Sequence, residues 1–344
     1  MVNRSLFFLL CMFVFGMAGC HSSPDGKKLL PSGREEVDSI VSVADSIPAP
    51  KKILTASDIS LTKDLLYDKY TLGDVYPYKD TVRSFKWELV CQYLAFIENI
   101  QLDSHARWGV LQNYKNQNRE APLVHRFVRN AYGRVSDTLG VERYQSVPLY
   151  APSDTLVPLR YGRDGTLVHW LGEQGNYVRF IPVGLSEEWL PPSRYVLSLA
   201  DSTHFHHVIL IDRRDQHIAT LERMEKGIWY IRSMNPATTG RHAPPYAQET
   251  PLGIYVLQQK KTKMVFLKDG SKATGGYAPY ASRFTNGAYI HGVPVNVPRT
   301  SMIEYSWSLG TIPRSHMCVR NASSHAKFIF EWAPTLQTLI LVIE

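Results

Sequence analysis

Disulfides have little raw material in this chain. Only four cysteines occur, and two of them, Cys11 and Cys20, lie in or at the end of an apolar leader. A mature body with Cys91 and Cys318 alone is no disulfide framework, and a bridge between those two would silence the best nucleophile in the sequence. No apolar run reaches the roughly 20 residues that a spanning helix needs. A net charge of +7 comes without any block of Lys and Arg and without a basic run interleaved with aromatics. The positive balance therefore reads as a solvated face, and nucleic-acid binding is not expected. Metal-ligand sets are missing too. His204, His206 and His207 stand together, but no carboxylate-rich or cysteine-rich partner completes a coordination sphere, and they read as exposed turn histidines.

What is present suffices for real cores, since 44% of the 344 residues are hydrophobic. That length predicts two or three domains after processing. Leu6 to Ala18 form an apolar run of about a dozen residues behind Arg4, which fits a signal-peptide core. Met17-Ala18-Gly19-Cys20 resembles a bacterial lipobox, with Met17 where that motif usually has Leu. Residues 1–20 are thus expected to be a lipoprotein signal peptide, and Cys20 the lipidated anchor to a membrane. Plain secretion with cleavage nearby is the alternative. Residues 21–52, rich in Ser, Pro, Asp, Glu and Lys, bury too little apolar surface to order themselves and read as a tether.

From 53 to 140 the pattern turns helical. Behind Asp80-Thr81, read as N-cap residues, Phe85, Leu89, Tyr93 and Ile97 recur every four residues, with Cys91 as a buried structural thiol among them. Val124, Phe127, Val128, Ala131 and Tyr132 predict a second helix packed on the first. Residues 141–190 change to short β-like runs, and Asp164-Gly165 between apolar stretches signals a tight hairpin. This texture resembles a bacterial SH3-like barrel, with a spacer hairpin as the alternative. Beyond Pro191-Pro192 the runs lengthen. Those at 194–199, 207–212, 217–221 and 228–233 alternate apolar and polar residues in the manner of a half-buried antiparallel sheet, and 338–343 supplies a final strand, which predicts a mainly β domain over 193–344.

The chemistry gathers near the C-terminus. Cys318 is flanked by Ser315, His316, Arg320 and Asn321, neighbours too polar for an inert buried thiol. A thiol attacks a carbonyl well only as a thiolate, so it needs a base or a cation beside it. His291, at the end of a strand that runs into Gly292, is the candidate base, and Arg320 the candidate cation.

His291-Gly292 followed by Ser315-His316-Met317-Cys318-Val319-Arg320 resembles the signature of the L,D-transpeptidase (YkuD) family, HG then SHGC[IV]R. Three further pieces match in order: Pro236 to Gly240 with its Thr-Gly, Thr250-Pro251-Leu252-Gly253, and Tyr280, Arg283 and Phe284 before the HG. The resemblance, taken with the segments read above, implies a multidomain, mainly β protein. In it, a C-terminal L,D-transpeptidase β-sandwich follows a small SH3-like β-barrel and an N-terminal helical domain. It implies that Cys318 attacks the carbonyl of the diamino-acid residue in a peptidoglycan tetrapeptide stem, expels D-Ala, and passes the acyl group to an amine to give a 3,3 cross-link. His291 would be the base, its ring oriented by the Gly292 carbonyl. The N–H groups at 316 to 318 would face the oxyanion, helped by Tyr280, with Ser315 and Arg320 as positioning residues. Peptidoglycan stem peptides are the implied partner, the periplasm facing the cell wall the implied location, and no metal or organic cofactor is called for.

Two departures stand out. The spacing from His291 to Cys318 is 318 − 291 = 27 residues, longer than in compact members, and a longer loop costs little to close. Met317 replaces the family's Gly. If that position requires a positive φ, the cost is about 1–2 kcal/mol, whereas a lost oxyanion donor costs about 2.7–4 kcal/mol in the transition state. The alternatives are therefore a catalytically impaired lipoprotein that binds or spaces peptidoglycan, and a Cys-His cell-wall peptidase that hydrolyses without transfer. Oligomeric state is not legible.

Overall fold

The computed structural model of the chain describes residues 52–344, which belong to one compact unit. The expected signal peptide, Cys20 and the tether up to residue 51 lie outside the described residues. Among the described residues no helix is long and apolar enough to cross a membrane.

The centre is strand His207–Asp212, in which both halves of the side-chain alternation are apolar. Ile209 and Ile211 point to one face, Val208 and Leu210 to the other, and all four are fully buried. Burial of each such side chain contributes about 1.5–3 kcal/mol. The strand pairs antiparallel with His217–Glu225 and parallel with Thr338–Ile343. It sits inside a six-stranded sheet ordered Ser60–Lys63, Ile228–Pro236, His217–Glu225, His207–Asp212, Thr338–Ile343, Gly253–Val256. On one face Ile209, Ile211, Ile340 and Val342 meet Phe284, Ala288, Ile290 and Val319 of a second sheet. That sheet runs Gln259–Leu267, Thr274–Thr285, Ala288–His291, Val319–Arg320, and helix Ser323–Trp332 packs against it through Ile329. The expected mainly β sandwich is present. On the opposite face Val208, Leu210, Leu221 and Trp229 meet Val90, Leu94 and Ile97 of helix Trp87–Ile100.

That helix is the first of the two expected between 53 and 140, and half-buried Cys91 lies on it, its pKa raised by burial. The rest of the stretch corrects the sequence reading. Asp80-Thr81 does not cap the helix, because Thr81–Ser84 pairs with Val75–Tyr78 as a hairpin and the Thr81 hydroxyl donates to the Tyr78 carbonyl at 2.8 Å. The second helix is absent. Phe127–Arg129 is instead a strand paired with Val135–Asp137, with Phe127, Val128 and Tyr132 exposed. Asn130 is the local cause: its side-chain oxygen accepts the N–H groups of Tyr132 (2.9 Å) and Arg134 (3.0 Å), and Gly133 takes a φ of +75°, closing a turn where the helix would have run.

A four-stranded sheet, Tyr177–Pro182, Leu167–Gln174, Arg107–Leu111, Val196–Ser198, joins the stretches before and after residue 141. Asp164-Gly165 turns tightly but makes no hairpin, because the strands it separates enter different sheets. Arg160–Arg163 pairs with Ser146–Leu149, and Leu167–Gln174 pairs with Tyr177–Pro182 and Arg107–Leu111. The turn is wedged into the second sheet: a Cβ at Gly165, with φ +85°, would lie 1.8 Å from the Phe284 carbonyl oxygen.

Candidate active site

The loop that carries Cys318 is held by the pieces the sequence singled out upstream of it. Thr238 and Arg320 exchange backbone hydrogen bonds of 2.9 Å in both directions. The Arg241 N–H donates to the Ser315 carbonyl at 3.0 Å, and the Gln248 N–H to that of His316 at 2.7 Å. The Thr250 hydroxyl donates to the Met317 carbonyl (2.7 Å) and accepts the Gly240 N–H (2.8 Å). Gly240 cannot be larger, since a Cβ there would stand 2.3 Å from the Gln248 carbonyl oxygen and 2.8 Å from Met317 Cα. The Thr-Gly and Thr-Pro-Leu-Gly pieces therefore shape the nucleophile loop. Within that loop the Ser315 hydroxyl donates to the Cys318 carbonyl. The N–H groups of His316, Met317 and Cys318 donate to no protein group among the described residues.

His291 comes to the same place through strand pairing. Ala288–His291 runs parallel to Val319–Arg320, with Ile290 opposite Val319 and His291 opposite Arg320. The buried imidazole donates from Nδ1 to the Gly292 carbonyl at 2.6 Å, which leaves Nε2 as the basic nitrogen, free of protein partners among the described residues. Gly292 is required by packing: a Cβ would lie 2.6 Å from the Ser323 hydroxyl. Burial pushes the imidazole down to about 4, the Gly292 carbonyl opposing and Arg320 assisting, so it is neutral at pH 7.

Cys318 is a free thiol that donates to the Gly287 carbonyl at 3.5 Å and receives the Tyr289 N–H. The residue is only half-buried by surface, yet its sulfur is packed deeply enough that desolvation pushes the thiol up to about 11. The Tyr289 N–H and the Arg320 charge pull the other way without offsetting it. Thiol and imidazole are thus both uncharged at rest. They share no direct hydrogen bond, but both line one cavity of about 1010 Å³.

The other expected site residues divide. Ser315, His316 and Arg320 line that cavity with Cys318 and His291. The His316 ring turns outward and pairs with Asp269, Nε2 to carboxylate 2.9 Å, across the end of the hairpin made by Gln259–Leu267 and Thr274–Thr285. Tyr280 takes a backbone φ of +52° and its ring packs edge-on against Phe330 at 5.9 Å. Tyr289 lines the cavity with Cys318, its hydroxyl donating to that of Tyr114 at 3.1 Å. Met317 is not among the residues with positive φ, so the strain expected of a non-glycine there does not arise. Its side chain rests against the sandwich core and borders a second cavity of about 380 Å³, walled by residues from the 129–145 stretch.

Sequence reasoning missed Asp164. This fully buried carboxylate accepts the N–H groups of Asn113 (2.9 Å), Tyr114 (3.1 Å) and Asn286 (3.0 Å), the Gln258 amide (3.0 Å), and Arg283 Nη1 (2.5 Å). It fastens Tyr114 and the Asn286-Gly287 corner, and so the groups that meet the Cys318 sulfur. The Asp-Gly pair was visible in the sequence; its distant partners were not. The His204–His206–His207 group holds no coordination geometry. His204 and His206 meet ring to ring at 6.2 Å, His207 lies 3.8 Å from Glu222, and among the described residues no three His, Cys, Asp or Glu converge as a metal site.

Residues 206–342 match the family model described as YkuD, L,D-transpeptidase catalytic domain. No curated protein matches the sequence. Solved structures similar to the chain include a fused Zn-dependent amidase/peptidase/peptidoglycan-binding domain-containing protein from Clostridium acetobutylicum (18% identity, TM-score 0.30, covering 41% of this chain and 52% of that one). An L,D-transpeptidase from Mycobacterium smegmatis matches with 17% identity, TM-score 0.33 and coverage of 50% and 79%. L,D-transpeptidase 3 from Mycobacterium tuberculosis, bound to a faropenem-derived adduct, matches with 18% identity, TM-score 0.34 and coverage of 52% and 78%. The chain thus spans about half the length of the first of these.

Proposed function

We propose that the YkuD domain at 206–342 works as a peptidoglycan L,D-transpeptidase with Cys318 as nucleophile and His291 as base. The observation that carries the reading is the convergence of Cys318 and His291 on one cavity, with Nδ1 tied to Gly292 and three N–H groups at 316 to 318 that no described protein group accepts. A neutral imidazole with a free Nε2 can take the thiol proton as the sulfur attacks the stem carbonyl. The developing oxyanion is then met by N–H donors that no protein group occupies. Collapse breaks the bond to D-Ala, whose nitrogen takes the proton back from the imidazolium, and leaves a thioester on Cys318. A second stem's amine attacks that thioester, the proton passes through His291 to the departing sulfur, and a 3,3 cross-link results. Ser315 holds the loop and Arg320 lowers the cost of negative charge on the sulfur. In this reading the protein is exported and lipid-anchored at Cys20, and no metal or organic cofactor takes part.

The impaired-binder alternative rests on a lost oxyanion donor at Met317; the Met317 backbone lies outside the left-handed region, so no backbone strain attaches to that position, and acylation is the measurement that separates the two readings. The test is incubation of the purified protein with tetrapeptide muropeptides and an excess of amine acceptor, followed by intact-mass analysis. A thioester on Cys318, free D-Ala and a cross-linked product are expected. A folded protein that forms no adduct would sink the proposal, and an adduct that only water resolves would favour the peptidase.

A further inference from the structure

The cavity beside Cys318 holds a charge imbalance that the fold itself does not need. Lys115, Arg241, Lys261, Lys263, Arg314 and Arg320 line it, and the one carboxylate among the lining residues, Asp269, is engaged by His316. None of the six cations forms an ion pair among the described residues.

The three arginines are the informative part, because their backbones are fixed while no carboxylate meets their charged ends among the described residues. The Arg241 N–H is bound to the Ser315 carbonyl, that of Arg314 to the Thr239 carbonyl at 2.9 Å, and Arg320 is bridged to Thr238. These bonds deliver three guanidinium groups to one wall. Arg314 lies over the exposed Trp307 ring at 4.7 Å, and the Nε atoms of Arg314 and Arg320 are shielded from solvent with no hydrogen-bond partner. Arg320 pays for this arrangement: burial lowers its pKa, and Arg241 and Arg314 push the same way. Withdrawing guanidinium nitrogens of Arg314 and Arg320 from water, with the exposed Arg241 alongside and no counter-charge, is unfavourable in the free protein and becomes favourable when an anion arrives. The planar fork of each group matches a carboxylate through two parallel hydrogen bonds, which a neutral carboxamide cannot accept in the same way.

We infer that Arg241, Arg314 and Arg320 form a carboxylate-binding subsite beside Cys318, which selects acyl-donor stems whose diamino acid carries a free side-chain carboxylate over stems carrying the carboxamide there. The inference rests on the transpeptidase reading for the nature of the donor. Charge-assisted hydrogen bonds of this kind give a preference of about 10- to 100-fold.

Two synthetic tetrapeptide stems that differ only in that carboxylate or carboxamide test it by titration calorimetry against the full chain carrying Cys318→Ala. The acid form should bind about 10- to 100-fold tighter, and the preference should fall below about threefold once Arg241→Gln and Arg314→Gln are added, with an unchanged circular dichroism spectrum. Equal affinity for the two peptides, failure of both to bind, or a preference that survives the two arginine substitutions would overturn the inference. Acylation of the unsubstituted protein by the same peptides is read separately. Selective binding without any thioester would refute the transpeptidase reading and leave the subsite standing.

Discussion

Replacing Asp164 with alanine should cost far more stability than a turn residue normally would, and should reach the nucleophile. The carboxylate is fully buried and accepts five hydrogen bonds, one of them from Arg283, itself only 6% exposed. Without Asp164 the guanidinium keeps only a 3.5 Å contact with the Asn286 carbonyl and the face of Tyr114, 4.4 Å away. Leaving one member of a buried ion pair unmatched costs about 3–5 kcal/mol. For a chain of this size that is a fall in Tm on the order of 10 °C. A thermal melt measures it, and a double-mutant cycle with Arg283→Ala assigns it: the Asp164→Ala cost should shrink by at least about 1.5 kcal/mol when the arginine is already gone. Since Asp164 also holds the Asn286 N–H, next to the Gly287 carbonyl that meets the Cys318 sulfur, thioester formation should fall together with stability. A Tm within about 2 °C of the parent, or costs that simply add across the cycle, would refute the reasoning.

Three further outcomes follow from the same geometry. With its thiol pushed up to about 11, Cys318 is ionised to only about one part in ten thousand at pH 7, so iodoacetamide labelling traced by peptide mapping should climb steadily to beyond pH 10; an inflection below pH 8 would reveal a preformed thiolate–imidazolium pair instead. His217 and His291, held down to about 4, and His325, to about 3, all by burial, remain neutral in the fold at pH values where the unfolded chain, near 6.5, takes up protons. Protons therefore favour unfolding from pH 6.5 downward, each histidine removing on the order of 3 kcal/mol by pH 4, and urea midpoints that stay flat between pH 7 and 4.5 would contradict this. Gly240→Ala places a methyl 2.8 Å from Met317 Cα and should displace the nucleophile loop, lowering acylation at least about 100-fold for about 1–3 kcal/mol of stability; near-normal acylation with the stability cost intact would show that the loop tolerates the shift.

Residues whose role is set by neighbours in sequence were legible from sequence, and residues whose role is set by distant partners were not. His207–Asp212 was legible as a strand, although it was read as half-buried and is buried on both faces, and Cys318 and His291 stood out because their chemistry is local to short motifs. The reading of Val124 to Tyr132 as a helix failed because apolar spacing was weighed without the side-chain bonds of Asn130, which close a turn more cheaply than a helix can pass through it. Tyr289, which the short motifs did not single out, completes the cavity wall beside Cys318. Asp164 was seen as turn chemistry, whereas four of its five partners come from more than 50 residues away or from another sheet.

Asp164 and the stretch around Val124 to Tyr132 share a location, the seam between residues 206–342 and the chain before them, and that seam accounts for Met317. A glycine before the nucleophile is needed only where the backbone is left-handed or where something crowds the Cα. Here the backbone is not left-handed, and the crowding falls on Gly240, whose absent side chain makes room for Met317 Cα. The thioether then has a place to go, against the sandwich core and toward the cavity bordered by the 129–145 stretch, which the matched domain at 206–342 does not include. Tyr114 and Lys115 of the same preceding chain line the Cys318 cavity itself, anchored through Asp164. A residue that looks like a defect when the motif is read alone is therefore one side of a packed contact, and the segments that looked like framework supply part of the site's walls.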